Sequence, residues 1–325
     1  MRKLNFSILC AGHIAETMAG TVVKMDEVVP YAVAARDLNR ASRFAEKYGF
    51  QKAYGSYEDL VNDANVDLVY VASPHSLHYE HAKLCLMHGK HVLCEKPMTV
   101  NAKQAEELFR LAKERNLFIM EAVWTRFQPF AAKLREVLDG GAIGDLHTML
   151  VTFGQDLRHV NRLVSPELAG GALLDLGIYP ITFASMFFGT KVKQIESAVV
   201  KTEQGVDGQN SITLVYEDGR MAILNSCFLC SMKNQGIIYG NGGRLEVDSF
   251  WHPQEFRVYR NGESEPETYE APFDFTGYEY EVRAAAKAIA QGELECSQMP
   301  QEETLRVMKI MDQLRADWNI KYPFE

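Results

Sequence analysis

Up to about residue 120, short β-branched apolar runs alternate with segments of helical periodicity. Asn5 to Cys10, Val28 to Ala35, Val66 to Ala72, His91 to Cys94 and Leu117 to Val123 predict strands. Ile14 to Lys24, Asn39 to Tyr48, His75 to His88 and Asn101 to Arg115 predict helices, and Ser56 predicts the cap of a short helix through Asn62. This alternation builds a doubly wound α/β domain, a parallel sheet with helices on both faces.

After about residue 122 the rhythm changes. A helix over Pro129 to Leu138 ends at Gly140-Gly141, and strand-like runs then dominate: Leu146 to Phe153, Ile195 to Lys201, Ser211 to Tyr216, Met221 to Phe228, Ile237 to Tyr239 and Arg244 to Val247. Glu217-Asp218-Gly219 predicts a hairpin turn between two of them. Helical patterns recur at Leu173 to Phe188, Tyr278 to Gln291 and Thr304 to Ile320. The series predicts an α+β domain on a large, mostly antiparallel open sheet. The expected division is residues 1–122 and 123–325.

A chain of 325 residues is long enough for two cores, and 47% apolar with 24% charged residues is ordinary for a globular protein. Net charge is −9, from 34 basic and 43 acidic residues, which argues against a nucleic-acid partner. Any anionic ligand must be held by a local cluster of positive groups. The longest uncharged apolar-leaning stretch, Leu176 to Thr190, is shorter than the roughly 18–20 residues of a spanning helix. Met1-Arg2-Lys3 and the apolar run after it superficially resemble a leader, but no cleavage site follows. Six cysteines in a chain this long do not read as a disulfide framework, so a cytoplasmic protein is expected. Cys227-Phe228-Leu229-Cys230 has zinc-knuckle spacing without a second pair, and His78 with His81 and His88 with His91 lack a third ligand, so no metal is expected. The acidic stretch Glu263 to Glu270 reads as a solvated loop.

Candidate chemistry begins at Cys10-Ala11-Gly12-His13-Ile14-Ala15, where a strand turns into a helix. Small residues and helix N-terminal amides there let a pyrophosphate approach the backbone. Gly12 and Ala15 fit the second and third fingerprint glycines, and Cys10 stands at the first, so an ordinary strand–helix turn is also open. Beyond the second strand stand Arg36 and Arg40, at i, i+4. Two guanidiniums suit a 2′-phosphate and favour NADP, while Asp37 keeps NAD open. Solvated arginines at a helix start are the bland alternative. Glu95-Lys96-Pro97 follows a strand at the sheet edge where open α/β folds bind ligands. In Gly170 to Pro180, Asp175 and Tyr179 interrupt an apolar helix at i, i+4, which would place them on one face. A buried carboxylate needs a reason: an active site or a structural ion pair.

The order of the glycine turn, Glu95-Lys96-Pro97, and Gly170-Gly171 with Asp175 and Tyr179 resembles the glucose–fructose oxidoreductase / inositol dehydrogenase superfamily. Within it the dimeric dihydrodiol dehydrogenase and NADP-dependent D-xylose dehydrogenase branch is nearest. Ser76 to Tyr79, Trp124 to Phe127, Tyr239-Gly240, Phe250-Trp251 and Tyr322 to Glu325 support it. The resemblance implies an N-terminal Rossmann domain and a C-terminal substrate-binding and oligomerisation domain. It implies hydride transfer between nicotinamide and a carbon bearing a hydroxyl or carbonyl, in a sugar, diol or small carbonyl compound. Lys96 matches the family's active-site lysine, Tyr179 its catalytic tyrosine or histidine, and Asp175 a residue that orients substrate. Either Lys96 or Tyr179 fits as the proton-transfer group. The cofactor set comprises Ala11, Gly12, His13, Ile14, Arg36, Arg40, Ser73, Pro74, His78, Glu95 and Lys96, and the substrate pocket Trp124, Arg126, Phe153 and Trp251. A homodimer or higher oligomer through the C-terminal sheet is implied. A non-catalytic dinucleotide sensor or regulator of the same fold, or a reductase of a larger ligand, are the competing readings.

Overall fold

In a computed structural model that describes residues 3–325, the apolar runs of the first part become six strands, all pairing in parallel. In chain order they and their helices are β1 (Leu4–Leu9), α1 (His13–Val22), β2 (Val28–Ala34), α2 (Leu38–Tyr48), β3 (Lys52–Tyr54), α3 (Tyr57–Asn62), β4 (Leu68–Val71), α4 (His78–Met87), β5 (His91–Glu95), α5 (Ala102–Arg115) and β6 (Ile119–Ala122). The sheet order is β3-β2-β1-β4-β5-β6, so the strand sequence reverses direction between β1 and β4. Central strands are buried on both faces, which is why β4 reads as an unbroken apolar run. The unpredicted β3 is three residues at the edge, too short to show a period.

The second part begins with α6 (Pro129–Asp139), β7 (Leu146–Gly154) and α7 (Asn161–Val164). A π turn, Leu173–Gly177, then runs into α8 (Ile178–Phe188). Next come β8 (Val192–Lys201), β9 (Asp207–Tyr216), β10 (Met221–Cys227), β11 (Gln235–Gly240), β12 (Gly243–Asp248), β13 (Glu255–Arg260) and β14 (Glu267–Glu270). They form an eight-stranded sheet, β14-β13-β12-β11-β7-β10-β9-β8, antiparallel except where β10 pairs with β7. The hairpin at Glu217-Asp218-Gly219 forms between β9 and β10, closed by Tyr216 N donating to Arg220 O at 2.9 Å. Within the stretch read as a solvated loop, Glu267–Glu270 is instead a strand. Its charged side chains suit the sheet edge it occupies, where they oppose further pairing.

The helical stretch Pro166–Phe188 is long and apolar enough by composition to cross a membrane, but 94% of its most apolar window is buried inside the protein. It is a core element of this unit, and every residue of α8 except Met186 is buried. Pro180 explains why the part from Leu173 to Phe188 is not one α-helix. Proline lacks the N–H that would bond back four residues, and its ring crowds the carbonyl there. The preceding turn opens, and Ile178 N donates to Leu173 O instead.

The chain folds as two compact units, and the division is not a single cut after residue 122. Asp274–Lys309 returns to the unit that begins at the N-terminus and runs to Phe127, while Gln128–Phe273 and Ile310–Glu325 form the other. The returning segment carries α9 (Glu279–Ala290), and α10 (Gln301–Asp317) spans the second boundary. Val282, Ala285 and Ala288 of α9 join the core formed by Ala15, Met18 and Ala19 of α1.

Candidate active site

In the first unit, the reversal between β1 and β4 marks the edge where open α/β sheets bind ligands. β1 ends at Leu9, and Cys10 takes a φ of +84°. That conformation favours glycine, so the turn keeps the shape a first glycine would give it although cysteine stands there. Gly12 follows as N-cap of α1, and nothing lies within 4 Å of where its Cβ would be. Asp37, Ser56 and Asn101 cap α2, α3 and α5 by accepting from the amides of Arg40, Asp59 and Gln104. No side chain caps α1. The amides of its first turn, at His13 and Ile14, are aimed past an open, small residue, which fits a pyrophosphate.

The two arginines are placed differently. Both are exposed, but Arg40 donates to Ala11 O through Nη2 at 2.6 Å and Nε at 3.1 Å and so braces the turn. Arg36 is the exposed cation just past β2, and its charge acts on Tyr57 and His81. Asp37 spends one carboxylate oxygen on the Arg40 amide at 2.8 Å. Tyr57 and His81 meet edge to face at 4.7 Å, and burial pushes the imidazole of His81 down to about 4.

Beside them, Ser73-Pro74 follows β4 and Lys96-Pro97 follows β5. The Lys96–Pro97 peptide is cis. His78 ties the two loops, with Nδ1 facing Pro97 O and Nε2 facing Ser73 O, each at 2.7 Å. Burial pushes its pKa down to about 4, so at neutral pH it is neutral and donates to one carbonyl at a time. Glu95, at the end of β5, accepts from the Tyr70 hydroxyl and from Lys96 N at 3.1 Å. Glu281 of α9 is fully buried near this carboxylate, and desolvation followed by the Glu95 charge pushes its pKa well up. Trp124 stacks on Tyr278 with ring centroids 4.0 Å apart. Arg126 donates to Gln298 O at 2.8 Å and to Glu303 Oε1 at 2.9 Å, a part-buried tie within the unit that engages two of its donors. Tyr278, Glu281 and Glu303 were missed by sequence reasoning because the returning segment looked like part of the other domain.

In the second unit, Asp175 lies in the π turn and Tyr179 in α8, not on one continuous α-helix. The Asp175 carboxylate is buried and pairs with Arg162 Nη1 at 2.7 Å. Nothing in the spacing marked Arg162, although a buried carboxylate calls for a cation. Tyr179 is 8% exposed and meets Phe153 edge to face at 5.6 Å, and Trp251 stacks on Phe153 at 4.4 Å. Two expected pocket aromatics therefore stand together with the tyrosine. The Cys227 and Cys230 sulfurs are 3.7 Å apart as free thiols, and among the described residues no group of three potential ligands could hold a metal.

Comparison with known proteins agrees with both halves. A family model described as "Oxidoreductase family, NAD-binding Rossmann fold" matches residues 4–123, and one described as "GFO/IDH/MocA C-terminal domain" matches residues 131–246. A mouse trans-1,2-dihydrobenzene-1,2-diol dehydrogenase is 38% identical over 333 residues, 98% of each chain. The human protein of that name is 37% identical over 332 residues, also 98% of each. A 3-ketoreductase from Actinomadura kijaniata, solved with NADP and TDP-benzene, is 27% identical with a TM-score of 0.88, covering 97% of this chain and 98% of its own. Variants of that ketoreductase with a lysine changed to alanine and a tyrosine to phenylalanine have also been solved. With two family models matched in order and relatives of this similarity along its length, the chain belongs to the GFO/IDH/MocA family, as an NAD(P)-binding oxidoreductase that acts on CH–OH groups.

Proposed function

We propose that the protein is an NADP-linked dehydrogenase or reductase of a vicinal diol, sugar or small carbonyl compound. The observation that carries this is Tyr179: a buried phenol beside an aromatic wall, two residues beyond a π turn that holds an ion-paired carboxylate. Wide turns of this kind concentrate at functional sites. When bound, nicotinamide supplies the hydride chemistry, and the chain's own side chains must handle the proton. Free tyrosine has a pKa near 10, and a neighbouring ammonium lowers it by stabilising phenolate. Tyr179 is the proton-transfer group in this reading, and the role given to Lys96 is to polarise the substrate oxygen. Asp175, fixed by Arg162, orients a substrate hydroxyl, and Phe153 and Trp251 stack on the apolar face of the ring or chain.

The amides of α1, reached past Gly12, hold the pyrophosphate, and Arg36 holds the 2′-phosphate, with Arg40 supporting the turn from behind. Support for NADP over NAD is the exposed guanidinium past β2 together with the capping duty of Asp37. The names of the relatives, a trans-1,2-dihydrobenzene-1,2-diol dehydrogenase and a 3-ketoreductase, make dihydrodiols and ketones the first substrates to try. The test is turnover, read as reduced-nicotinamide absorbance, with NADP and NAD against a panel of diols, aldoses and dicarbonyls. Turnover with NADP on one class is expected. Tight cofactor binding with no turnover across the panel would overturn the reading in favour of a sensor.

We further propose that two copies pair through the open face of the eight-stranded sheet. On β10, Met221 and Ile223 are each 38% exposed and alternate with buried Ala222 and Leu224, so that face presents apolar side chains. Light scattering should give a dimer or higher mass that Ile223→Lys shifts toward monomer. A monomeric wild type would refute it.

A further inference from the structure

The segment that carries Asp175 and Tyr179 is anchored by a residue that lies later in the chain and plays no part in the reading above. Asp207, the first residue of β9, is 2% exposed. Its Oδ2 accepts the amide of Leu173, the first residue of the π turn, at 2.6 Å. The same oxygen accepts Asn210 Nδ2 at 2.9 Å, and Asn210 Oδ1 accepts the hydroxyl of Ser226, on β10, at 2.8 Å. The strip meets both ends of the turn. Gly171 has a φ of +116°, and a Cβ there would run into Asp207 Oδ1. At the far end, a Cβ on Gly177 would come within 3.1 Å of Ser226 Oγ. From the other side, the Tyr322 hydroxyl donates to Gly170 O at 2.8 Å. The turn is therefore seated on a floor of buried polar side chains, in which Asp207 takes the Leu173 amide, Tyr322 meets the Gly170 carbonyl just before the turn, and Asn210 and Ser226 support Asp207.

We propose that Asp207 is a positioning residue of the reaction: with Asn210 and Ser226 it fixes the π turn, and through it the place of the Asp175 carboxylate and the Tyr179 phenol. The inference rests on the assignment of Tyr179 above. A carboxylate suits the task because one oxygen can accept two donors, and because a negative group is favoured against the amides that begin a helical segment. Loss of the acceptor strands a buried Leu173 N–H, and the turn must shift to find another partner.

The anchor also titrates. Burial pushes the Asp207 carboxyl up to about 7, against the lowering bonds from Asn210 and the Leu173 amide and the more distant Arg315. The ionisable groups facing it are Arg315 of α10, paired with Glu325 at 2.7 Å, and the phenol of Tyr322 in the tail, which burial pushes further up. Arg315 and Tyr322 keep their protons well above neutral pH. An ionisation near neutrality on this floor therefore belongs to Asp207.

The test compares Asp207→Ala and Asp207→Asn in the full chain. It reads kcat, KM for NADP and amide hydrogen exchange over residues 171–179. A shift of about 1 Å in a reacting group reduces rate by roughly 100-fold, so Asp207→Ala should lower kcat by about 10–100-fold with KM for NADP unchanged. Exchange over 171–179 should quicken. In Asp207→Asn the remaining oxygen still accepts Leu173 N, but as a neutral and weaker acceptor than a carboxylate, so kcat should rise above the alanine value to the level of the acid limb of the wild-type profile and stay flat through pH 7. Wild-type kcat and exchange in the alanine variant overturn the proposal, as does an asparagine variant that is no better than alanine or keeps the wild-type profile. If the alanine variant does not fold, the asparagine profile decides. Exchange needs no substrate, so it reports on the anchor even if the enzyme assignment fails.

Discussion

At the edge of the six-stranded sheet, the groups set for a ligand are main-chain amides at the start of α1, exposed by Cys10 in its left-handed conformation and by the bare Gly12. In the second unit, the groups to which the proposed function gives the chemistry are the side chains of Asp175 and Tyr179, buried and in contact with Arg162 and Phe153 above the Asp207 floor. Main-chain recognition tolerates a change of residue as long as the turn keeps its shape, and cysteine at the first glycine position is such a change. Side-chain chemistry has no such latitude, because each group is placed by named partners. A cofactor common to many reactions suits the first arrangement, and one particular substrate carbon suits the second.

Substitutions can break this contrast or sharpen it. The largest effect is expected for Tyr179→Phe, which should lower kcat by ~10²–10⁴-fold while the dissociation constant for NADP, measured by fluorescence quenching, stays within a factor of about two. Equal losses in turnover and cofactor affinity would erase the distinction. Gly171→Ala comes next. A non-glycine residue at its φ and a displaced buried carboxylate together should remove about 2–4 kcal/mol of stability, read by chemical denaturation. Arg36→Ala should weaken NADP binding by about 10–100-fold, the worth of one or two charge-assisted bonds, and leave NAD nearly unchanged by titration calorimetry. Parallel weakening of both cofactors would show that Arg36 does not read the 2′-phosphate. The smallest effect belongs to Cys10→Gly, where the new residue accepts the existing φ. Stability should move by less than about 1 kcal/mol in a thermal melt, with NADP affinity retained.

Much of the first unit was legible because its central strands are buried on both faces and announce themselves as apolar runs between capped helices. The family was legible in the motifs around Gly12, Lys96, Asp175 and Tyr179 because motif order and spacing are local properties. Other features are not local. The strand at Glu267–Glu270 is stabilised by pairing with β13, while its own composition reads as solvent-facing. Val282, Ala285 and Ala288 disclose an apolar helix face but not the helix α1 that it covers. The bonds from Arg40 to the Ala11 carbonyl could not be read from spacing, which gives direction along a helix, because that carbonyl lies on another element. Asp207 carried no signal at all, since its worth comes from an amide 34 residues away.

The return of Asp274–Lys309 to the first unit has a practical edge. A nucleotide-binding module excised at residue 123 would leave Ala15, Met18 and Ala19 without the cover of α9 and should be insoluble. Grafting this module onto another substrate domain, in the laboratory or by recombination, requires three splices, two that open and close around Gln128–Phe273 and one before Ile310–Glu325, so the two units are interleaved along the chain.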